Sequence, residues 1–173
     1  MEIYLPDIYQ KSIYTIDYSK LLNRGIKCLL YDLDNTIAPG NSKKVTKKTK
    51  DLFTRLKQKG FKVCIFSNSP KFRTKILTSE LKIDGVSCAG KPYTWKLKKF
   101  LKDNGYDKSE VAIIGDQLMT DIKVGNKVGI TTILVNPVSE RDFMFTRFNR
   151  FFEKKKMDDL TDKKLFHKGR FYD

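Results

Sequence analysis

Asp32 and Asp34, separated by one leucine, are the residues of this chain whose types and spacing most directly suggest chemistry. They follow the apolar run 28–30, which predicts a short buried strand. The carboxyl ends of strands are where open α/β sheets bind ligands. Asp32 could attack an electrophile, Asp34 could carry a proton for the leaving group, and a magnesium ion could screen their mutual repulsion. The same pair would also suit the solvated end of an ordinary strand.

Polar side chains also follow three later strands of the predicted sheet. Ser67 and Asn68 could bind an oxyanion together with a helix N-terminus, or could simply cap that helix. Lys91 could place an ammonium group against a phosphoryl oxygen. Asp116 ends a buried run, and Asp121 lies about one helical turn further on, so both could offer oxygen ligands to magnesium. The convergence of these groups at one edge of a sheet predicts a site for phosphate and Mg²⁺.

Apolar runs that alternate with amphipathic segments position these residues. The predicted strands are 28–30, 62–66, 86–88, 111–114 and 131–135, and the predicted helices are about 44–58, 72–81, 93–103 and 119–128. This alternation predicts an α/β fold with a parallel five-stranded sheet and helices on both faces. Only one helix fits between Thr36 and the second strand, and only one between Ser67 and Lys91. No large cap domain can be inserted at either place, so an active site here should admit large or surface-bound substrates.

The chain of 173 residues suits a single domain. We expect an N-terminal edge segment of about residues 1–25, a catalytic core of about 26–137 and a C-terminal amphipathic, basic extension of about 138–173. The first segment should be irregular and pack along the sheet edge, and the chain from Asp158 onward should be loosely ordered. One helical face of the extension carries Met144, Phe145, Phe148, Phe151 and Phe152. That face could lie in a membrane interface, although packing on the domain is the favoured interpretation.

The formal net charge of +15 suggests an anionic partner: a phosphate, a nucleic acid or an acidic lipid surface. Scattered lysines that only solvate helix faces would give the same balance. Three cysteines without metal-ligand spacing fit a reducing compartment. The sequence has neither a signal-peptide core nor an apolar run of membrane-spanning length, which predicts a cytoplasmic protein. The single histidine, His167, lies in the charged tail and argues against a Ser-His-Asp triad.

These residues resemble the motifs of the haloacid dehalogenase (HAD) superfamily of phosphohydrolases. Asp32-Leu33-Asp34-Asn35-Thr36 resembles the first motif, Ser67-Asn68 the second, Lys91 the third, and Gly115-Asp116 through Asp121 the fourth. The chain is most similar to the subclass IIIA, YqeG-type phosphatases, and this similarity extends to Pro6, residues 12–17 and residues 25–27. Members of that group include phosphatidylglycerophosphate phosphatases.

The resemblance implies a role for each of these residues. Asp32 would be the nucleophile that forms an aspartyl-phosphate, and Asp34 would act as general acid and then as general base. The phosphoryl oxygens would be held by Ser67, Asn68 and Lys91. Asp32, the main-chain carbonyl of Asp34 and Asp116 would bind Mg²⁺, with Asp121 in support.

The activity that the resemblance implies is a magnesium-dependent phosphomonoesterase. Its substrate would be phosphatidylglycerophosphate or a similarly large phosphorylated molecule, met through peripheral contact with the inner face of an anionic membrane. Two alternatives stay open: a phosphatase for protein or polynucleotide ends, and a non-enzymatic basic binding protein on the same fold. Nucleic acid is the less favoured partner because the sequence has no recognised nucleic-acid-binding motif.

Overall fold

A six-stranded sheet forms the centre of the computed structural model, which describes residues 2–40, 42–139 and 146–173. The strands are β1 (Ile8–Gln10), β2 (Cys28–Tyr31), β3 (Lys62–Phe66), β4 (Asp84–Val86), β5 (Val111–Gly115) and β6 (Thr131–Val135). Their order across the sheet is β1-β6-β5-β2-β3-β4, and all neighbours pair in parallel. The α/β class and the parallel sheet are therefore confirmed, with one strand more than predicted.

The additional strand is β1, which lies in the segment expected to be irregular. It pairs with β6 in the register Ile8 with Ile133 and Gln10 with Val135. Three residues are too few to give an alternating pattern in the sequence. The segment becomes a strand because β6 otherwise offers a row of unpaired backbone groups at the sheet edge.

Among the described residues, an α-helix lies between each pair of consecutive strands and another follows the last strand. The helices are α1 (Tyr18–Asn23), α2 (Lys47–Gln58), α3 (Lys71–Leu81), α4 (Trp95–Asn104), α5 (Lys123–Val128) and α6 (Thr146–Asp162). The short helix α1 was not predicted; the Asp17 side chain caps it by accepting from the backbone N–H groups of Ser19 and Lys20. The helix predicted over 119–128 is a π-helical turn, Leu118–Ile122, followed by α5. The strand predicted over 86–88 lies two residues earlier, as β4.

Strand β2 lies between two layers of apolar side chains. Leu29 and Tyr31 belong to the cluster on one face of the sheet, and Cys28 and Leu30 to the cluster on the other. All four residues are buried, which explains why the strand reads as a continuous apolar run. The described residues between β2 and β3 form a loop and α2, and those between β3 and β4 include only α3 as a helix. The absence of a cap domain at either place, as far as the structure describes them, agrees with the prediction.

The C-terminal tail is ordered against β1, so the expectation of a loose tail was wrong. Leu160 and Phe166 are fully buried in a cluster with Tyr9. Tyr9 and Tyr172 exchange two backbone hydrogen bonds of 2.9 Å. The few apolar residues of the tail are spread among charged ones, and only the fold brings them together on the uncovered side of β1.

The amphipathic face of α6 is described only in part. Met144 and Phe145 lie outside the described residues, as does the side chain of Phe148. Phe151 and Phe152 are exposed, so the expected packing on the domain is wrong for these two side chains. No helix among the described residues has the length and apolar character needed to cross a bilayer.

We predict that Phe166→Ala lowers the free energy of unfolding by about 3–5 kcal/mol, because it empties a buried ring site whose centroid lies 4.9 Å from that of Tyr9. Leu165→Ala removes a half-exposed neighbour and should cost less than about 1 kcal/mol. Urea denaturation of both variants measures the difference. Equal small losses would contradict the packing of the tail described above.

Candidate active site

The carboxyl ends of β2, β3 and β5 meet at one edge of the sheet, where a loop after β4 adds Lys91. Strand β2 pairs with β3 on one side and with β5 on the other, so the order of the strands reverses at β2. Such a switch point leaves a crevice in which α/β folds bind ligands. The backbone N–H of Asp32 donates to the carbonyl of Ile114 at 2.8 Å, which continues the pairing one residue beyond β2 and fixes the start of the loop.

The side chain of Lys91 lies at the centre of this crevice and is 2% exposed. Its Nζ donates to Oδ1 of Asp32 at 2.6 Å, to Oδ1 of Asp121 at 2.5 Å and to the carbonyl of Phe66 at 3.0 Å. Burial by itself would lower the pKa of Lys91, but the two carboxylates outweigh it and hold the pKa above its ordinary value. The ammonium group is therefore charged and fully hydrogen-bonded.

Three carboxylates cluster in this crevice, and two of them, Asp32 and Asp121, bond to its single ammonium group. Oxygens of Asp32, Asp116 and Asp121 lie within 4.8 Å of one another. Burial, and after it the charges of Asp32 and Asp121, raise the pKa of Asp116 well above its ordinary value. Burial also raises the pKa of Asp121 to about 6 against the opposing effect of Lys91. A hard divalent cation would balance the excess negative charge, so the donor set fits Mg²⁺.

Asp121 is engaged through both of its oxygens. One accepts from Lys91, and the other accepts from the backbone N–H of Gln117 at 3.2 Å. A Cβ atom at position 115 would lie 2.2 Å from the Asp121 carboxyl carbon, so this arrangement requires Gly115. Asp121 thus positions Lys91, whereas Asp116 accepts from the Thr36 hydroxyl at 3.3 Å on the other side of the cluster.

Asn68 fixes the backbone of Lys91. Its Oδ1 accepts from the Lys91 N–H at 2.8 Å, and its Nδ2 donates to the Lys91 carbonyl at 3.0 Å. Ser67 is buried, and its hydroxyl donates to that of Ser69 at 3.1 Å. The alternative that Ser67 and Asn68 cap a helix is not met, because α3 begins after Pro70 without a side-chain cap. The structure brings both residues to the predicted edge, and their contact with a phosphoryl group stays a prediction.

Asp34 is held by two residues that the sequence did not single out. Ser69 donates its hydroxyl to Oδ2, and Arg73 donates its Nε to Oδ1 at 2.7 Å. Arg73 Nη2 completes the ion pair at 2.6 Å, and the guanidinium also donates to the carbonyls of Pro39 and Ser42. Arg73 therefore joins α3 to the loop after Asp34. No spacing rule signals a contact between residues 39 positions apart, so it emerges only from the fold.

The turn that carries the fourth motif depends on α6. Glu153 accepts from the backbone N–H groups of Leu118 and of Met119, the latter at 3.1 Å. These N–H groups begin the π-helical turn and have no partner within it. Glu153 also adds negative charge near Asp116, which raises the pKa of Asp116 further. The C-terminal extension thus supports the site directly, a role that the sequence did not reveal.

This arrangement can perform phosphoryl transfer, since it joins a carboxylate, a charged lysine and an acidic cluster at an open sheet edge. The family model described as "Mitochondrial PGP phosphatase" matches residues 1–139. The chain belongs to this family. The PGP phosphatase match confirms the predicted HAD-superfamily, YqeG-type resemblance and an enzymatic, phosphatase activity, and it removes the non-enzymatic alternative.

Two curated relatives support the assignment to the PGP phosphatase family. The probable phosphatase YqeG of Bacillus subtilis is 35% identical over 162 residues, which covers 94% of each chain. Phosphatidylglycerophosphate phosphatase 1, chloroplastic/mitochondrial, of Arabidopsis thaliana is 28% identical over 150 residues. That match covers 82% of this chain and 43% of the plant protein, so this chain corresponds to less than half of that relative's length.

Solved structures agree with the fold. A HAD phosphatase from Thermococcus onnurineus superposes with a TM-score of 0.55 at 16% identity, covering 69% of this chain and 90% of the other. A hypothetical protein from Xanthomonas campestris superposes with a TM-score of 0.54 at 13% identity, covering 72% of each chain. At these identities the likeness concerns the fold alone.

We predict that the stabilising effect of Asp121, relative to Asp121→Asn, decreases as pH rises. The folded protein holds the Asp121 proton with a pKa of about 6, above the ordinary value of 3.8. The contribution of Asp121 to the free energy of unfolding is therefore complete below pH 3.8, its ordinary pKa, and is lost as pH rises through about 6. The loss should be on the order of a few kcal/mol.

Urea denaturation of both proteins in EDTA, from about pH 3.5 to about pH 7.5, measures this difference across the expected window between 3.8 and about 6. Asp103→Asn is the control for the substitution itself, because the ion pair between Asp103 and Lys99 is exposed and should contribute little to stability. A constant difference between wild type and Asp121→Asn would show that burial does not disfavour the ionised carboxylate.

Proposed function

We propose that this phosphatase is a magnesium-dependent phosphomonoesterase that forms an aspartyl-phosphate on Asp32. The observation that carries the proposal is the position of the Asp32 carboxylate. It lies directly after β2, 2.6 Å from the Lys91 ammonium group and beside Asp116 and Asp121. A nucleophilic carboxylate needs such a neighbourhood, because positive charge must offset its repulsion of an incoming phosphate.

In the first half of the reaction, an oxygen of Asp32 attacks the phosphorus atom and the ester P–O bond breaks. The leaving oxygen takes a proton from Asp34. Lys91 stabilises the negative charge that spreads over the phosphoryl oxygens, and Asn68 keeps the backbone of Lys91 in place for this task.

In the second half, water attacks the aspartyl-phosphate and gives a proton to Asp34. The bond between phosphorus and Asp32 breaks, inorganic phosphate leaves and the Asp32 carboxylate is restored. Asp34 is bonded to Ser69 and Arg73 in the structure. To serve first as acid and then as base, its carboxyl group must exchange one of these contacts for the substrate.

Asp32, Asp116 and the main-chain carbonyl of Asp34 would hold the magnesium ion. Asp121 would support this set by fixing Lys91 beside it. When bound, the ion supplies positive charge that offsets the clustered carboxylates and polarises the phosphoryl group.

For the substrate we propose phosphatidylglycerophosphate, presented on an anionic membrane at its cytoplasmic face. The names of the matching family and of the Arabidopsis relative support this choice. The uncapped edge of the sheet suits a phosphate that projects from a surface, and the net charge of +15 favours approach to anionic lipid.

We predict magnesium-dependent phosphate release, fastest from phosphatidylglycerophosphate in vesicles when compared with a phosphopeptide and a 3′-phosphorylated oligonucleotide. Asp32→Asn should lower every activity at least about a thousandfold, because it removes the nucleophile. Asp51→Asn, on the exposed side of α2, is the matched control and should match the wild type. Malachite-green detection measures release, with EDTA as the metal-free arm.

Two outcomes of this panel would contradict the proposal. Undiminished turnover by Asp32→Asn, with its circular dichroism unchanged, would remove Asp32 as the nucleophile. Faster release from the phosphopeptide or the oligonucleotide would assign the enzyme to that class of substrate instead.

For Asp34→Asn we predict a burst of nitrophenolate from p-nitrophenyl phosphate, equal to the enzyme concentration and followed by slow turnover. Nitrophenolate leaves without a proton, whereas hydrolysis of the aspartyl-phosphate still needs the base. An alkyl phosphate, whose leaving group needs the acid, should show no burst. Stopped-flow absorbance measures the nitrophenolate burst, and quenched-flow detection of the released alcohol measures the alkyl phosphate. Ser69→Ala, which keeps the carboxyl group, should turn over both substrates. Wild-type rates in Asp34→Asn would remove Asp34 from the mechanism.

A further inference from the structure

Three exposed aromatic side chains lie on the two segments that carry active-site residues. Phe72, Tyr93 and Trp95 are 70%, 71% and 59% exposed. Phe72 immediately precedes Arg73, which binds Asp34. Tyr93 and Trp95 follow Lys91 by two and four positions. We call Phe72, Tyr93 and Trp95 the aromatic rim.

The two segments of the aromatic rim are fastened to each other. Besides the two hydrogen bonds between Asn68 and Lys91, the N–H of Cys88 donates to the Ser69 carbonyl at 2.9 Å. The Trp95 indole nitrogen lies 3.8 Å from the position that a Cβ would take on Gly90, so the ring lies beside the residue that precedes Lys91. The rim therefore belongs to the same edge of the sheet as the site. Exposed aromatic surface beside a reaction centre typically marks an interaction surface.

Basic side chains accompany the rim. Lys71, Lys75 and Lys98 are exposed, and within the described part of the chain they form no ion pair. Lys75 lies one helical turn after Phe72 in α3, and Lys98 lies one turn after Trp95 in α4, so each lysine shares a helix face with an aromatic side chain. Aromatic rings with lysines beside them match the interface of an anionic bilayer, where rings enter the headgroup layer and ammonium groups meet lipid phosphates.

The exposed end of α6 fits a bilayer less well. Phe151 and Phe152 are exposed there beside the exposed Lys154 and Lys155. However, Lys156 and Lys163 are both paired with Asp159, at 2.8 Å and 3.0 Å. These internal pairs neutralise part of the charge that would attract anionic lipid. The exposed Asp158 and Asp162 of the same helix would repel anionic lipid. The charge that accompanies the aromatic rim has no such internal partner among the described residues.

We propose that the aromatic rim is the surface by which this protein docks on anionic phospholipid bilayers, with the crevice around Asp32 facing the lipid headgroups. This inference rests on the proposed function, since it supplies the contact that a membrane-borne substrate needs. Docking through the rim would place the lipid phosphate at the edge of the sheet, which no cap domain covers among the described residues.

The protein carries its own reporter, because Trp95 is the only tryptophan of the chain. On addition of vesicles of equal parts phosphatidylglycerol and phosphatidylcholine at low salt, Trp95 emission should shift to the blue. Acrylamide should quench it several-fold less than in the free protein. Pure phosphatidylcholine vesicles should give a much smaller shift, and added salt should reverse the shift on anionic vesicles.

Co-sedimentation with the same vesicles compares variants that keep Trp95. Phe72→Ser combined with Tyr93→Ser should weaken binding about tenfold or more, because two rings no longer leave water. Leu22→Ser combined with Leu165→Ser removes two exposed apolar side chains elsewhere and should bind as the wild type does. Thermal denaturation verifies that both double variants are folded.

Several results would overturn the proposal. These are no binding of the wild type, binding without any change in Trp95 emission, or equal binding to neutral vesicles. Loss of binding only in Phe151→Ser combined with Phe152→Ser would place the docking surface on α6 instead. These binding readouts need no turnover, so they test the docking surface independently of the proposed function. The proposed function fails if the wild type does not hydrolyse p-nitrophenyl phosphate in the presence of magnesium.

Discussion

The buried ammonium group of Lys91, placed between Asp32 and Asp121, is the interaction on which the rest of the site depends. A buried charge is strongly unfavourable unless charged and polar partners surround it, and Lys91 has two carboxylates and the Phe66 carbonyl. These partners come from different strand ends, so the ion pairs tie the edge of the sheet together. Asn68 fixes the backbone of Lys91. The absence of a side chain at Gly115 leaves the space that the Asp121 carboxyl group occupies.

The charged groups inside the crevice are mostly acidic, whereas the chain as a whole has a positive net charge. Asp32, Asp116 and Asp121 outnumber the one ammonium group among them, whereas the whole chain carries a net charge of +15. A basic surface attracts phosphates and acidic lipid over distances of about a Debye length. The acidic crevice would repel the same phosphate unless a cation occupied it. A divalent ion in the crevice would reconcile the local with the global charge, which is why the proposed mechanism includes magnesium.

Both ends of the chain complete the fold around this site. Strand β1 covers the open edge of β6, and Tyr172 in turn pairs with Tyr9 of β1. Helix α6 then reaches back to the active-site turn, where Glu153 accepts from the N–H groups of Leu118 and Met119. Residues beyond the range that the family model covers therefore contribute to the geometry of the fourth motif. A change in α6 can affect the site without any contact with substrate.

The parallel α/β sheet and the position of the polar groups at its edge follow from local patterns in the sequence, because strand periodicity and the polar residues that end each strand are local properties. Asp32, Lys91 and Asp116 could be predicted in this way. The contacts between distant segments are visible only in the folded chain: Arg73 with Asp34, Glu153 with the turn at Leu118, and the sixth strand β1. Each of these forms because a donor, an acceptor or a sheet edge would otherwise lack a partner. These partners come together only when the chain has folded, so the spacing of residues along the sequence does not predict the contacts.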